Sequence, residues 1–235
     1  MKSAILAACA ALAITGAASA ETRVTYKSAK SGSSYYQMGV ELAEAMKAGT
    51  DGGISVTIEE SQGSVQNVKE AAVREGAYVF TTPPALIKLA KGNAKMFEDG
   101  QDYSDIRALF PIPSLTMHYV VRADAGVDSF ADLSGKGFII GKGSFGAREA
   151  EKNFEQFGAT PDLVDVELNA AVPAMKNGQV AGFATAGSYP APNVIEAAAG
   201  TDIKLLSMSD EQVETTGRTR LVIPAGTYPG VDQDT

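Results

Sequence analysis

The chain of 235 residues has one cysteine, one histidine and no tryptophan. These scarcities exclude whole chemistries. A lone cysteine closes no intrachain disulfide, and one cysteine with one histidine cannot furnish a structural zinc site. Serine–histidine catalysis would rest on His118 alone, for which the sequence offers no fixed acidic partner. Excess positive charge is also missing: 20 Lys and Arg face 28 Asp and Glu, a net charge of −8. That balance argues against a nucleic-acid partner, which needs clustered cations. No glycine-rich loop ends in Gly-Lys-Ser/Thr, so a nucleotide is not supported, and no metal or other cofactor is expected. Beyond the first twenty residues no run approaches the roughly 20 apolar residues of a membrane span, so stable membrane insertion is not expected.

What is present begins with an address. Lys2, the apolar run Ala4 to Thr15 and Ala18-Ser19-Ala20 form a secretory signal peptide, with cleavage expected after Ala20. The apolar run continues past Cys9, which disfavours a lipid anchor there. The remainder, in a chain 45% hydrophobic and 20% charged, has the composition of a globular protein.

Periodicity divides that remainder into two stretches with one plan. In the first, Val24 to Tyr26 is a strand and Tyr35 to Lys47 a helix with Tyr36, Val40, Ala43 and Met46 on one face. Ile54 to Ile58 is a strand, Ser64 opens a second helix, and Tyr78 to Phe80 is a third strand. In the second, Phe138 to Ile140 is a strand and the next helix carries Ala150, Phe154 and Phe157. Leu163 to Leu168, a short helix Val172 to Asn177 and a strand Gly182 to Ala184 complete it. Each half reads β-α-β-α-β, the pattern of a parallel sheet. Between them Leu109-Phe110-Pro111-Ile112-Pro113 is extended, Thr116 to Arg122 is a strand, and Asp128-Ser129 caps a short helix Phe130 to Leu133. The expected architecture is an α/β protein of two lobes with a cleft and a hinge near Pro111 to Leu115. Residues 1–20 are the signal, 21–113 the first lobe, 114–222 the second, and 223–235 the start of a return crossover to the first.

Ligands of open α/β sheets sit beyond the carboxyl ends of strands, at helix N-termini. Three loops there are rich in Gly and Ser: Gly32-Ser33-Ser34, Gln62-Gly63-Ser64 and Gly143-Ser144-Phe145-Gly146. Such loops cap helices, and three in matching positions also suit a carboxylate or other oxyanion. Tyr35 and Tyr36 point about 100° apart on a helix, so one can face the core and the other the cleft. Arg148 either reaches a ligand carboxylate or lies solvated. Lys27 and Lys30 flank the first loop as possible counter-charges. His118 reads as structural or hinge-lining.

The series Tyr35-Tyr36 after a Gly/Ser loop, Gln62-Gly63-Ser64-Val65, Asp132-Leu133 with Gly135-Lys136, Gly143-Ser144, Gly187-Ser188-Tyr189-Pro190 and Pro224 to Tyr228 resembles the TAXI-type solute receptors of TRAP transporters. The resemblance runs from about Val24 to the last residue. It implies a periplasmic binding protein of the two-lobed, type II kind that closes on a small carboxylate of the glutamate, glutamine or 2-oxoglutarate class. It implies delivery of that ligand to the membrane permease subunits of a TRAP transporter, with no reaction catalysed. The site implied comprises Ser33, Ser34, Tyr35, Tyr36, Gly63, Ser64, Thr81, Thr82, Gly143 and Ser144, with Arg148 and Tyr189 as further candidates. The chain departs from the family at Lys27, Ala29, Lys30 and Ser33 of the first loop, at Phe145 and Gly146 of the second Gly loop, and at Thr82-Pro83-Pro84. Family members also continue past the Pro-Ala-Gly-x-Tyr segment, so a truncated chain is expected. The alternative is a secreted enzyme acting on a small anionic substrate, with Glu59, Glu60 or Asp165 for acid–base work.

Overall fold

The computed structural model describes residues 21–113 and 115–235. The signal peptide with Cys9 lies outside the described residues, as does Ser114 of the expected hinge.

The first lobe is built in the order β1 (Thr22–Lys27), α1 (Ser34–Gly49), β2 (Ile54–Glu59), α2 (Ser64–Ala71), β3 (Ala77–Phe80) and α3 (Pro84–Lys91). β1 is central, with β2 and β3 parallel on its two sides. Pro84 opens α3 because the N–H it lacks would have no helical partner there. α1 lies on β1 through Gly39, where an added Cβ would come within 3.2 Å of the Tyr26 ring. Of the expected apolar face of α1, none of Tyr36, Val40, Ala43 and Met46 is fully buried. The core instead gathers under α2 and α3, from Val68, Leu86, Ala90, Phe97 and Tyr103. Buried Asn67 ties α2 to the ends of two strands: its amide donates to the carbonyls of Ser28 at 2.7 Å and Thr81 at 2.9 Å.

The second lobe follows as β4 (Thr116–Arg122), β5 (Gly137–Ile139), α4 (Phe145–Phe157), β6 (Asp162–Leu163), α5 (Ala171–Lys176), β7 (Gly182–Gly187), α6 (Pro192–Ala198), β8 (Ile203–Leu205) and α7 (Asp210–Thr216). Its sheet order is β6-β5-β7-β4-β8. The parallel trio β6-β5-β7 repeats β2-β1-β3, with the first strand between its two successors. The sheet differs from a purely parallel one because β4 runs antiparallel to both β7 and β8. Alternation along the strands feeds two cores. Val120, Ile139 and Phe183 join α5 and α6 on one face, and Tyr119, Val121, Phe138 and Ala184 join α4 on the other. There Tyr119 meets Phe130 and Phe154 edge-to-face at 4.8 and 5.8 Å.

Two local expectations change. The strand expected over Leu163 to Leu168 stops at Leu163, because the Val166 N–H turns back to the Val164 carbonyl. Asp128-Ser129 does not cap the short helix. Instead, Asp132 accepts from the backbone N–H groups of Asp128 and Ser129 and from the Ser129 hydroxyl.

Residues 223–235 pack on the second lobe. Ile223, Tyr228 and Val231 share its core, and Ile223 and Thr235 exchange backbone hydrogen bonds of 2.7 and 3.0 Å. The Tyr228 hydroxyl accepts from the Ala191 N–H and lies 2.8 Å from His118 Nε2. His118 Nδ1 faces the Thr116 carbonyl at 3.2 Å. Nδ1 therefore carries the proton and Nε2 accepts from Tyr228. His118 is a core residue, and burial lowers its pKa from 6.5 to about 4.

Two stability measurements test this packing. Asn67→Ala removes the side-chain donor to the Thr81 carbonyl and one of two side-chain donors to the Ser28 carbonyl, and is expected to cost about 1–3 kcal/mol in urea unfolding. The unfolded chain binds a proton near pH 6.5 that folded His118 refuses until about 4. Its contribution is therefore present above 6.5 and lost as pH falls towards 4, by about 3 kcal/mol. His118→Gln is expected to flatten the loss of stability between pH 6.5 and 5; an unchanged slope would contradict the assignment.

Candidate functional site

A helix that follows a parallel strand starts at the strand's carboxyl end, and here three such starts face one another. α1 is capped by Ser33, whose Oγ accepts from the Tyr36 N–H at 3.2 Å. α4 is capped by Ser144, whose Oγ accepts from the Ala147 N–H at 2.9 Å. α2 begins at Gly63 with no side-chain cap, leaving its first amides for another acceptor.

The lobes meet where these helices start. A Cβ on Gly63 would lie 3.3 Å from both Cα and Cβ of Ser144. A Cβ on Gly187, at the end of β7, would lie 2.2 Å from Ser34 Oγ. The first turn of α4 sits against Ala186, beside that contact. Lys30 of the first lobe pairs with Glu167 of the second at 3.1 Å. At the centre Ser34 Oγ is buried without a hydrogen-bond partner, its residue only 8% exposed. Such a group is costly unless something else supplies its bond.

The residues next to this cluster open onto a cavity of about 1500 Å³. Tyr35, Ser64, Thr81 and Thr82 line it, as does Phe145 at the start of α4. Its walls come from β3, from the extended segment 105–113 and from residues 218–223, and they are largely apolar. Tyr35 donates to the Pro113 carbonyl at 3.3 Å, holding the connecting segment to α1. Burial pushes the Tyr35 phenol up to about 12. Thr81 Oγ1 lies 2.5 Å from the Tyr26 hydroxyl.

The remaining sequence candidates fall elsewhere. Ser33, Ser34, Gly63 and Ser144 lie in the helix-start cluster. Gly143 forms the exposed turn before α4 with φ of 63°. Tyr36 is half-buried, and Tyr189 is 38% exposed, outside the cavity lining. Arg148 is exposed and directed at the Met96 sulfur, 3.0 Å away. Phe145 and Lys30 were visible as loop residues and Gly187 as part of a motif; their contacts across the lobes, and the partner Glu167, were not legible, since each depends on a residue far along the chain.

The charges around the site are already satisfied. Buried Lys27 lies 3.4 Å from both Glu59 and Glu70, and Arg74 reaches both Glu59 oxygens at 2.6 and 2.9 Å. Lys27 and Lys30 are thus counter-ions to protein carboxylates. The Arg74 hydrogen bond holds the Glu59 carboxyl below its usual range, and hydrogen bonds from Ser31 do the same for Glu60. Asp165 pairs with Lys142 at 2.9 Å. A general acid needs a raised pKa, so Glu59 and Glu60 are poorly suited to acid catalysis. Among the described residues no group of three or more His, Cys, Asp or Glu could hold a metal, and no helix is long and apolar enough to cross a membrane.

Solved structures share this fold. An ancestral arginine-binding protein bound to arginine matches with a TM-score of 0.52 at 13% identity, over 79% of each chain. Holo ArgBP from T. maritima matches with a TM-score of 0.52 at 14% identity, over 83% of this chain and 86% of its own. The periplasmic aliphatic sulphonate binding protein SsuA from Escherichia coli gives 0.50 at 15% identity, over 79% of this chain and 56% of its own. The fold is that of periplasmic binding proteins. Residues 27–235 match the NMT1-like family, and the chain belongs to that family.

Proposed function

We propose that the protein is a periplasmic solute receptor of the TAXI type, which captures a small carboxylate between its lobes and delivers it to the permease subunits of a TRAP transporter. The observation that carries this reading is the buried, unpartnered Ser34 hydroxyl among the starts of α1, α2 and α4. Each helix start presents the positive end of its dipole, and α2 adds amides that no side chain caps. An anion seated there supplies the acceptor that Ser34 lacks. The family and the fold support a binding role, the N-terminal segment supports export, and the motif series supports the TAXI assignment.

Capture follows from the contacts between lobes. Ser34 against Gly187, Gly63 against Ser144 and Lys30 with Glu167 all join the two lobes. A ligand that touches helix starts from both lobes binds the closed form better than the open one, and that difference drives closure. The segment 111–115 is the proposed hinge. No bond is made or broken in the ligand; the permease recognises the closed surface.

Three outcomes test this. A thermal-shift screen of carboxylates at about 100 times Kd is expected to raise Tm by about 5–10 °C. Ser34→Ala should leave the ligand-free Tm unchanged or higher and weaken binding about tenfold; unaltered affinity would sink the seat. Gly187→Val, whose side chain collides with Ser34, is expected to hold the lobes apart and enlarge the radius of gyration in X-ray scattering. An unchanged radius with ligand present would count against lobe closure at this contact.

A further inference from the structure

We infer that Phe145 is a positioning residue, a latch that holds a substantial share of the ligand-free protein in the closed arrangement. The inference rests on the lobe closure proposed above, and not on the identity of the ligand.

The apolar cluster of Val68, Leu86, Ala90, Phe97 and Tyr103 belongs to the first lobe. The partly buried side chains packed against it come from residues 65–106 of the same lobe, with the exception of Phe145. Phe145 is the first residue of α4, in the second lobe. The core that α4 builds on its own sheet uses Ala147, Ala150, Phe154 and Phe157 instead. A half-buried ring of one lobe thus completes the core of the other.

The ring is a fixed knob. Ser144 caps the helix immediately before it. Gly146, immediately after it, lies so close to β7 that an added Cβ would come within 2.6 Å of the Ala186 Cβ. The Arg218 guanidinium, held by Glu149 of the same helix, lies 5.8 Å from the ring centre. One turn along, Arg148 reaches the sulfur of Met96 at 3.0 Å, and Met96 packs on the same first-lobe cluster. The lobes cannot hinge apart at α4 without drawing this ring out of that cluster, which returns apolar surface of both to water.

The other contacts between the lobes are weaker without a ligand. The Lys30 and Glu167 side chains are 25% and 37% exposed, and such pairs contribute little and fade in salt. Gly63 and Gly187 bring no side chain to their contacts with Ser144 and Ser34. The closed form also leaves Ser34 Oγ buried without a partner, a cost that opposes closure until an acceptor arrives. The apolar latch and this polar cost act in opposite directions, so the ligand-free protein divides between open and closed forms.

The test reads that division in the full chain without ligand. Spin labels at Glu44→Cys on α1 and Glu196→Cys on α6, in a Cys9→Ser background, are expected to show a short-distance population by pulsed electron resonance. It should persist in about 0.5 M NaCl, where an exposed ion pair is screened. Phe145→Ala should lower the ratio of short to long distances about tenfold, and Phe145→Leu, which keeps an apolar knob, by no more than about threefold. Lys30→Ala should change it by no more than about twofold. A wild-type chain with only the long distance, a short population lost in salt, or two populations in a ratio that Phe145→Ala leaves unmoved would each overturn the inference. All three leave the receptor reading standing. A single short distance, the same in every variant, would mean that the lobes do not hinge and would remove both proposals.

Discussion

A parallel strand cannot return to its sheet by a tight turn; it needs a crossover, and the crossover helix starts where the previous strand ended. That constraint acts in both lobes. The orders β2-β1-β3 and β6-β5-β7 place the starts of α1, α2 and α4 at the carboxyl edges of their sheets. When the two edges face each other, backbone amides and helix dipoles from separate lobes meet beside the Lys30–Glu167 pair. The approach is close because Gly63 and Gly187 carry no side chain at the contacts.

The same economy runs through the electrostatics. Nearly every cation near the cleft is already committed to a protein carboxylate, as in the Lys27, Glu59, Glu70 and Arg74 cluster. Affinity for an anion therefore cannot come from a free arginine in the cavity wall. In the proposed receptor it comes from fixed dipoles, which discriminate by position more than by net charge. The wall from Tyr35 through Phe145 to the extended segment 105–113 is largely apolar.

Much of this was legible locally. The strand over Thr116 to Arg122 follows from its β-branched and aromatic run, and the two β-α-β-α-β halves follow from periodicity and Gly-Ser loops. Strand direction was not legible: β4 lies antiparallel between β7 and β8, more than sixty residues away, and nothing in its own sequence encodes that partner choice. α3 and α6 carry a proline in the first turn, and α7 carries a full capping box at Ser209 and Gln212, signals that mark a start once a helix is sought there. Within the site, helix caps and glycines were visible as types. Gly63 against Ser144 and Gly187 against Ser34 are long-range contacts, which short motifs do not specify. His118 was readable as structural or hinge-lining, and its hydrogen bond to Tyr228, which no local signal marks, shows how it is held.

The central claim is that an anion seated among helix starts from both lobes favours their closed arrangement. The chain's single cysteine, Cys9, makes site-specific labelling simple. In a Cys9→Ser background, spin labels introduced by Glu44→Cys on α1 and Glu196→Cys on α6 would report the interlobe distance by pulsed electron resonance. A carboxylate that binds should collapse the distribution onto one short distance, and Ser34→Ala should weaken that response. A bound carboxylate that leaves the distribution unchanged would contradict the account.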